Sequence, residues 1–117
     1  MRYRVTNSTR NTLLADGAAR ADSFLTRFKG LLGVAHLAPG DGLHITPCNS
    51  VHTFFMKIPI DVLFLDASQR VVGVAHALAP WRVSQVYFGA KSVLELPAGT
   101  AAATLTQAGD ALEFTTT

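Results

Sequence analysis

The sequence has little cysteine, little charge and no long apolar run. Cys48 is its one cysteine among 117 residues, and a single cysteine excludes an internal disulfide. Charged residues make up 15% of the chain, against about 25% in an average globular domain. No stretch reaches the roughly 18 consecutive apolar residues of a membrane-spanning helix. These shortages exclude a disulfide-stabilised scaffold and a helical membrane span.

Clustered positive charge is also lacking. The ten Lys and Arg residues exceed the eight Asp and Glu residues, for a net charge of +2, but they are spread from Arg2 to Lys91 without a run. A nucleic-acid-binding surface would cluster them, so we predict no nucleic-acid partner. Residues 1–16 lack the apolar centre of a secretion signal. The chain as given is therefore expected in the cytoplasm, or in the periplasm or outside the cell if a leader was removed.

Apolar residues are abundant, at 49% of the chain. A chain of this length is the usual size of one domain, so we predict a single domain over residues 1–117. Short apolar segments alternate with turn-forming residues, which is typical of a mainly β fold, an antiparallel β-sandwich or β-barrel. The predicted strands cover residues 3–6, 12–15, 43–46, 61–65, 70–78, 91–96 and 111–115.

Two segments have helical features. Apolar residues early in the chain recur at the spacing of one helical face: Phe24, Leu25, Phe28, Leu31 and Leu32. We therefore predict one packed amphipathic helix over residues 21–32. The alanine-rich residues 98–106 predict a short helical turn.

Residues 47–66, with the sequence PCNSVHTFFMKIPIDVLFLD, place polar residues within an apolar run. An unpaired buried polar group costs about a few kcal/mol, so these polar residues are either satisfied inside a core or line a site. If residues 48–57 are extended, the two-residue period puts alternate side chains on one face. Those side chains are Cys48, Ser50, His52, Phe54 and Met56.

Four motifs together resemble the domain of unknown function 192 family. They are GLL at 30–32, CNSVHTFFMKIPIDVLFLD at 48–66, PWR at 80–82 and VLELPAGT at 93–100. Their order and spacing also match, from about residue 24 to the C-terminus. The resemblance implies a small, mainly β domain without an established activity. Many members carry a secretion leader, which we do not expect in residues 1–16 of this chain, and the turn at 66–69 departs from the family's frequent Asp-Gly turn.

The spacing of the candidate residues argues against a catalytic nucleophile. Cys48 and His52 would share a strand face but lie about 13 Å apart by strand rise, too far for a nucleophile and its base. Ser50 and His52, with Asp61 as the acid of a triad, would still be about 6–7 Å apart, whereas a triad needs direct contact.

Metal and carboxylate chemistry remain open alternatives. Ligand-type side chains for zinc or iron are present at Cys48, His52, Asp61, His76 and Glu95. No pair of them has a local ligand spacing, so we predict no metal and no cofactor. Asp61 and Glu95 would suit a glycosidase if they faced one another. Glu95 lies between two leucines and is expected to face inward with a raised pKa.

The favoured prediction is a small binding domain, because polar residues among bulky apolar ones are typical of a ligand pocket. Trp81 can stack on a sugar, and the Arg82 guanidinium can hold a carboxylate or phosphate. The predicted ligand-binding residues are Cys48, Ser50, His52, Phe54, Met56, Asp61, Trp81, Arg82 and Glu95. A small polar or carbohydrate-like ligand follows only by analogy with the family, and a monomer or weak homodimer is expected.

Two other functions stay open at this point. The first is a metal-dependent or carboxylate-based hydrolase that uses His52 with Asp61 or Glu95. The second is a structural or interaction domain without a small-molecule site, in which the polar residues only fix the register of the strands.

Overall fold

A computed structural model describes residues 2–21, 37–54 and 56–117. The secondary structure in these ranges consists of strands and one short helix. The elements are β1 (Arg2–Asn7), β2 (Thr12–Ala21), β3 (Asp41–Ile45), β4 (Ile60–Leu65), β5 (Val71–Leu78), β6 (Ser92–Pro97), α1 (Thr100–Ala103) and β7 (Leu112–Thr116).

The strands form one sheet in the order β5-β4-β6-β3-β2-β1-β7. All neighbours pair antiparallel except β2 and β3, which are parallel. The sheet curls so that the starts of its two edge strands, β5 and β7, come together. There Arg70 and Ala111 form an isolated bridge, and the Val71 N–H donates to the Asp110 carbonyl at 2.8 Å. The result is a half-barrel, which confirms the predicted mainly β fold.

Strand β4 is buried on both faces, as its unbroken apolar sequence predicts. All six of its residues are buried, and β5 and β6 pair with its two edges. Leu63 and Leu65 belong to one apolar cluster, the first core, which also draws residues from β1, β2, β5, β6 and β7. Val62 and Phe64 belong to a second core on the opposite face. Residues 48–56 contribute Val51 and Met56 to this second core.

Most predicted strands are confirmed within one or two residues, but β2 is longer than expected. The strand predicted over 12–15 continues to Ala21, and residues 17–21 pair with β3. The helix predicted over 21–32 lies outside the described residues except for Ala21, the last residue of β2. The short helical turn predicted near 98–106 is confirmed as α1.

The described residues of 48–57, which are 48–54, 56 and 57, do not form the predicted strand. Their one ladder contact among the described residues is an isolated bridge between His52 and Val83. The Thr53 carbonyl accepts from the Met56 N–H at 3.2 Å and closes a turn. The period-two pattern was therefore misleading over this stretch, although His52 and Phe54 do end up in contact.

Tyr87 fixes the loop after β5 to the sheet. Its ring stacks on Phe64 with the ring centroids 4.2 Å apart, and a Cβ added at Gly73 would overlap that ring. We expect Gly73→Ala to lower the free energy of unfolding by about 1–3 kcal/mol, because the Tyr87 ring must move. Gly89→Ala is the control, since a Cβ there meets no atom within 4 Å. Equal urea midpoints for the two variants would contradict this packing.

Candidate functional site

Two loop segments, residues 49–54 and 79–87, lie side by side and are joined through Thr53. The fully buried Thr53 donates its backbone N–H to the Arg82 carbonyl at 2.8 Å and its hydroxyl to the Ala79 carbonyl at 2.6 Å. The Arg82 N–H donates to the Thr53 hydroxyl at 2.8 Å, and the Trp81 N–H donates to the Thr53 carbonyl at 3.0 Å. One threonine thus fixes the backbone on both sides of Trp81.

Three rings form a row on these segments, here called the ring surface: His52, Phe54 and Trp81. The centroids of His52 and Phe54 are 5.0 Å apart, and those of Phe54 and Trp81 are 5.8 Å apart in a stacked arrangement. Phe54 is 37% exposed and Trp81 is 55% exposed. Adjacent exposed rings are unfavourable in water and commonly mark a binding surface.

Arg82 lies beside the ring surface. Its side chain is exposed, and its guanidinium Nη1 donates to the Trp81 carbonyl at 3.3 Å. The sequence predicted His52, Phe54, Trp81 and Arg82 as site residues. The structure brings the three rings into contact, and Arg82 follows Trp81 directly in the chain.

The other members of the predicted strand face are placed differently. The Cys48 thiol donates to the Ser50 carbonyl at 2.9 Å, and Met56 is buried in the second core. Cys48 instead borders an open cleft of about 390 Å³. That cleft is lined by Thr46, Pro47, Cys48, Asn49, Ala90 and Lys91.

Asp61, predicted to contact a ligand, is buried and hydrogen-bonded to the backbone. Its Oδ1 accepts from the Ala77 N–H at 2.8 Å, and its Oδ2 accepts from the N–H groups of Gly99 at 3.1 Å and Ala101 at 2.8 Å. Ala77 has a left-handed φ of 47°, and Gly99 precedes α1. Asp61 therefore holds an irregular turn of β5 and the start of α1, which corrects its predicted position.

Glu95 is also fully buried, and neither of its carboxyl oxygens has a hydrogen-bond partner in the described ranges. Burial raises the pKa of Glu95 to about 8. It pairs in register with Val62, whereas Asp61 pairs with Leu96. Neighbouring residues of a strand point to opposite faces, so Asp61 and Glu95 do not face one another. The carboxylate pair of a glycosidase is therefore not formed.

Sequence reasoning did not include His44 among the candidate residues. His44 is 1% exposed, its ring lies 4.6 Å from the Phe114 ring, and neither ring nitrogen has a partner among the described residues. Burial, with a smaller contribution from the Arg20 charge, lowers the pKa of His44 to about 4. The signal in the sequence was the position of His44 between the apolar residues Leu43 and Ile45. In the structure, β2 and β6 pair with the two edges of this strand.

A buried polar cluster at the base of β7 was also missed. The Asn7 amide donates to Asp110 Oδ2 at 2.9 Å and to Thr106 Oγ1 at 3.1 Å. Arg10 Nε lies 3.2 Å from the same Asp110 oxygen. Burial alone would raise the pKa of Asp110, but hydrogen bonds from Arg10, Asn7 and the Gln107 N–H, together with the Arg10 charge, lower it. The polar groups of this cluster hydrogen-bond to one another, so we interpret the cluster as a link between β1 and the start of β7 rather than as a binding site.

Within the described ranges, no three His, Cys, Asp or Glu side chains come together as metal ligands. In the same ranges no helix is both long and apolar enough to cross a membrane.

The family follows from the match to known sequences. The model of DUF192, described as "Uncharacterized ACR", matches residues 5–114. The chain belongs to the DUF192 family. A UPF0127 protein of Pyrococcus horikoshii is 34% identical over 119 residues, covering 96% of this chain and 99% of that protein. A UPF0127 protein of Thermococcus sibiricus is 33% identical over 116 residues, covering 92% of this chain and 72% of that protein.

Two crystal structures share the fold of this DUF192 chain. A protein of unknown function from Novosphingobium aromaticivorans superposes with a TM-score of 0.80 at 22% identity, covering 97% of this chain and 84% of that one. A protein from Sinorhizobium meliloti described as a putative transcription regulator gives a TM-score of 0.78 at 21% identity, covering 97% and 92%. At these identities the likeness concerns the fold alone.

Proposed function

We propose that this DUF192 domain binds a carbohydrate-like ligand on the ring surface of His52, Phe54 and Trp81. The observation that supports this proposal most directly is the exposed, stacked pair of Phe54 and Trp81. The apolar face of a sugar ring can cover such rings and remove their area from water, at about 25 cal/mol per Å².

The backbone under the rings supports binding rather than a purely structural role. The hydrogen bonds that join Thr53 to the backbone of Ala79, Trp81 and Arg82 fix this loop before any ligand arrives. A preformed surface loses less conformational entropy on binding. Trp81 also has a left-handed φ of 63°, which is unfavourable for a large side chain and is often found at functional positions.

Binding is better supported than hydrolysis. Both oxygens of Asp61 accept backbone hydrogen bonds, and Glu95 has no exposed surface from which to reach a ligand. Neither carboxylate proposed for acid–base chemistry is therefore available at the ring surface.

Trp81→Ala tests the proposal. We expect it to weaken oligosaccharide binding by at least about tenfold, because one stacked ring contributes about 1–3 kcal/mol in comparable contacts. The ligands would come from an oligosaccharide array of neutral and acidic sugars, and affinities from isothermal titration calorimetry.

Leu105→Ala is the matched control for that variant. Leu105 is also exposed, at 66%, and also left-handed, with a φ of 59°, so its truncation reproduces the backbone effect away from the rings. Equal affinities of the two variants, or no oligosaccharide bound by the wild-type protein, would contradict the proposal.

Protein–protein contact is the second candidate function. Val83, Val86 and Phe88 follow Trp81 in the chain and are 65%, 48% and 89% exposed. Large apolar side chains that are exposed close together in the chain are also found at interfaces. Light scattering separates the two functions: a self-associated protein in which Phe88→Ala restores the monomer would favour contact over sugar binding.

A further inference from the structure

We infer that the ligand of the ring surface is an acidic sugar, a uronic-acid-containing oligosaccharide whose carboxylate binds Arg82. This inference rests on the proposed function and specifies its ligand class. Its basis is the charge of the two chain segments that carry the rings, together with the exposure of their cationic side chains.

The segments that carry and flank the rings hold cations without acids. Residues 48–60 and 79–94 contain Lys57, Arg82 and Lys91 and no Asp or Glu. The rest of the chain contains seven Lys and Arg residues and eight Asp and Glu residues, so these two segments carry more than the whole net positive charge. The acids next to them in sequence, Asp61 and Glu95, are both fully buried.

The three cations are available to a ligand. Lys57, Arg82 and Lys91 are all exposed, and the ion pair found in the described part of the chain joins Arg10 and Asp110 instead. Arg82 is the cation nearest the rings in sequence, and its Nη1 lies 3.3 Å from the Trp81 carbonyl. A guanidinium has five N–H donors and matches a carboxylate through two parallel hydrogen bonds.

A uronate suits this arrangement better than a nucleic acid does. In a uronate the carboxylate is attached to the same ring that stacks, so one residue of the ligand contacts both Trp81 and Arg82. Nucleic-acid surfaces neutralise many phosphates, commonly six to ten, with clustered Lys and Arg. The two segments that carry the rings contain three cations, a number that fits one or two carboxylates.

The test compares trigalacturonate with its carboxyl-reduced counterpart, which has the same linkages and no charge. We expect the wild-type protein to bind the acid at least about tenfold more tightly, and Arg82→Gln to remove most of that difference. Affinity of Arg82→Gln for the neutral trisaccharide should stay within about twofold of wild type. Arg4→Gln, which removes an exposed arginine on β1, should change neither affinity.

The other outcomes are separable. Equal wild-type affinities for the two trisaccharides would overturn the acidic-ligand inference and leave the proposed function intact. Failure of both trisaccharides to bind, while neutral sugars of other types bind, would overturn the inference in the same way. Failure of every oligosaccharide would overturn both, and tight binding of oligothymidylate in that case would identify a nucleic-acid surface instead.

Discussion

Replacing Asp61 with alanine will lower the free energy of unfolding by about 3–5 kcal/mol. The change leaves the N–H groups of Ala77, Gly99 and Ala101 without their acceptor, and each unsatisfied buried donor costs about 1–3 kcal/mol. For a domain of this size the melting temperature should fall by roughly 10–20 °C. Urea unfolding measured by far-ultraviolet circular dichroism gives the free energy directly.

Asp66→Ala is the matched control for Asp61→Ala. Asp66 Oδ1 accepts from the N–H groups of Ser68 and Arg70, both at 2.9 Å, but in an exposed turn where water can replace it. We expect a loss of about 1 kcal/mol. Comparable losses for the two variants would show that Asp61 is not the buried acceptor described here.

Stability will be nearly flat between pH 4.5 and 6.5 and will fall between pH 6.5 and 8. The folded state keeps the Glu95 proton up to a pKa of about 8, against an ordinary value of 4.5, so this group makes stability fall with rising pH across that range. His44 acts oppositely, because its pKa drops from 6.5 to about 4 on folding and the unfolded state binds the extra proton. Each group changes the free energy of unfolding by up to about 1.4 kcal/mol per pH unit.

The two slopes oppose one another between pH 4.5 and 6.5, and above 6.5 only that of Glu95 remains. The expected loss from pH 6.5 to 8 is about 2 kcal/mol. Glu95→Gln should abolish this loss. In that variant the free energy of unfolding should rise with pH up to 6.5, because only the effect of His44 remains. Glu113→Gln, at an exposed position on β7, should keep the wild-type profile. Urea titrations at several pH values measure these profiles, and wild-type stability that rises from pH 6.5 to 8 would contradict the assignment.

The sequence correctly predicted those elements whose structure depends on residues that are near one another in the chain. The consecutive apolar residues of β4 predicted burial on both faces, and turn-forming residues located most strand ends. The alanine-rich segment correctly predicted α1. In each case the deciding interactions involve residues near in the chain or an entire apolar face.

Local sequence failed where the partner lies far along the chain. The conformation at Thr53 depends on the backbone of Ala79, Trp81 and Arg82, so the alternation in residues 48–57 could not predict it. The position of Asp61 likewise depends on N–H groups 16 to 40 residues later. A carboxylate within an apolar run indicates either a ligand-binding residue or a buried hydrogen-bond acceptor, and the sequence alone did not distinguish the two.

The candidate site was predicted in part for the same reason. His52 and Phe54 are two residues apart and lie in contact, as alternation suggested, and the motif at 80–82 supplied Trp81 and Arg82. Glu95 was correctly expected to face inward with a raised pKa. That Asp61 and Glu95 point to opposite faces required the register of β4 against β6, which the sequence does not reveal.

The most direct test of the binding proposal is a fluorescence titration of the wild-type protein, because Trp81 is the one tryptophan of the chain. Its emission reports on the ring surface without any label. We predict a saturable change in intensity or wavelength as trigalacturonate is added, and a smaller affinity for the carboxyl-reduced trisaccharide. Emission that stays constant while calorimetry detects sugar binding would locate the ligand elsewhere, and would contradict the role assigned to these rings.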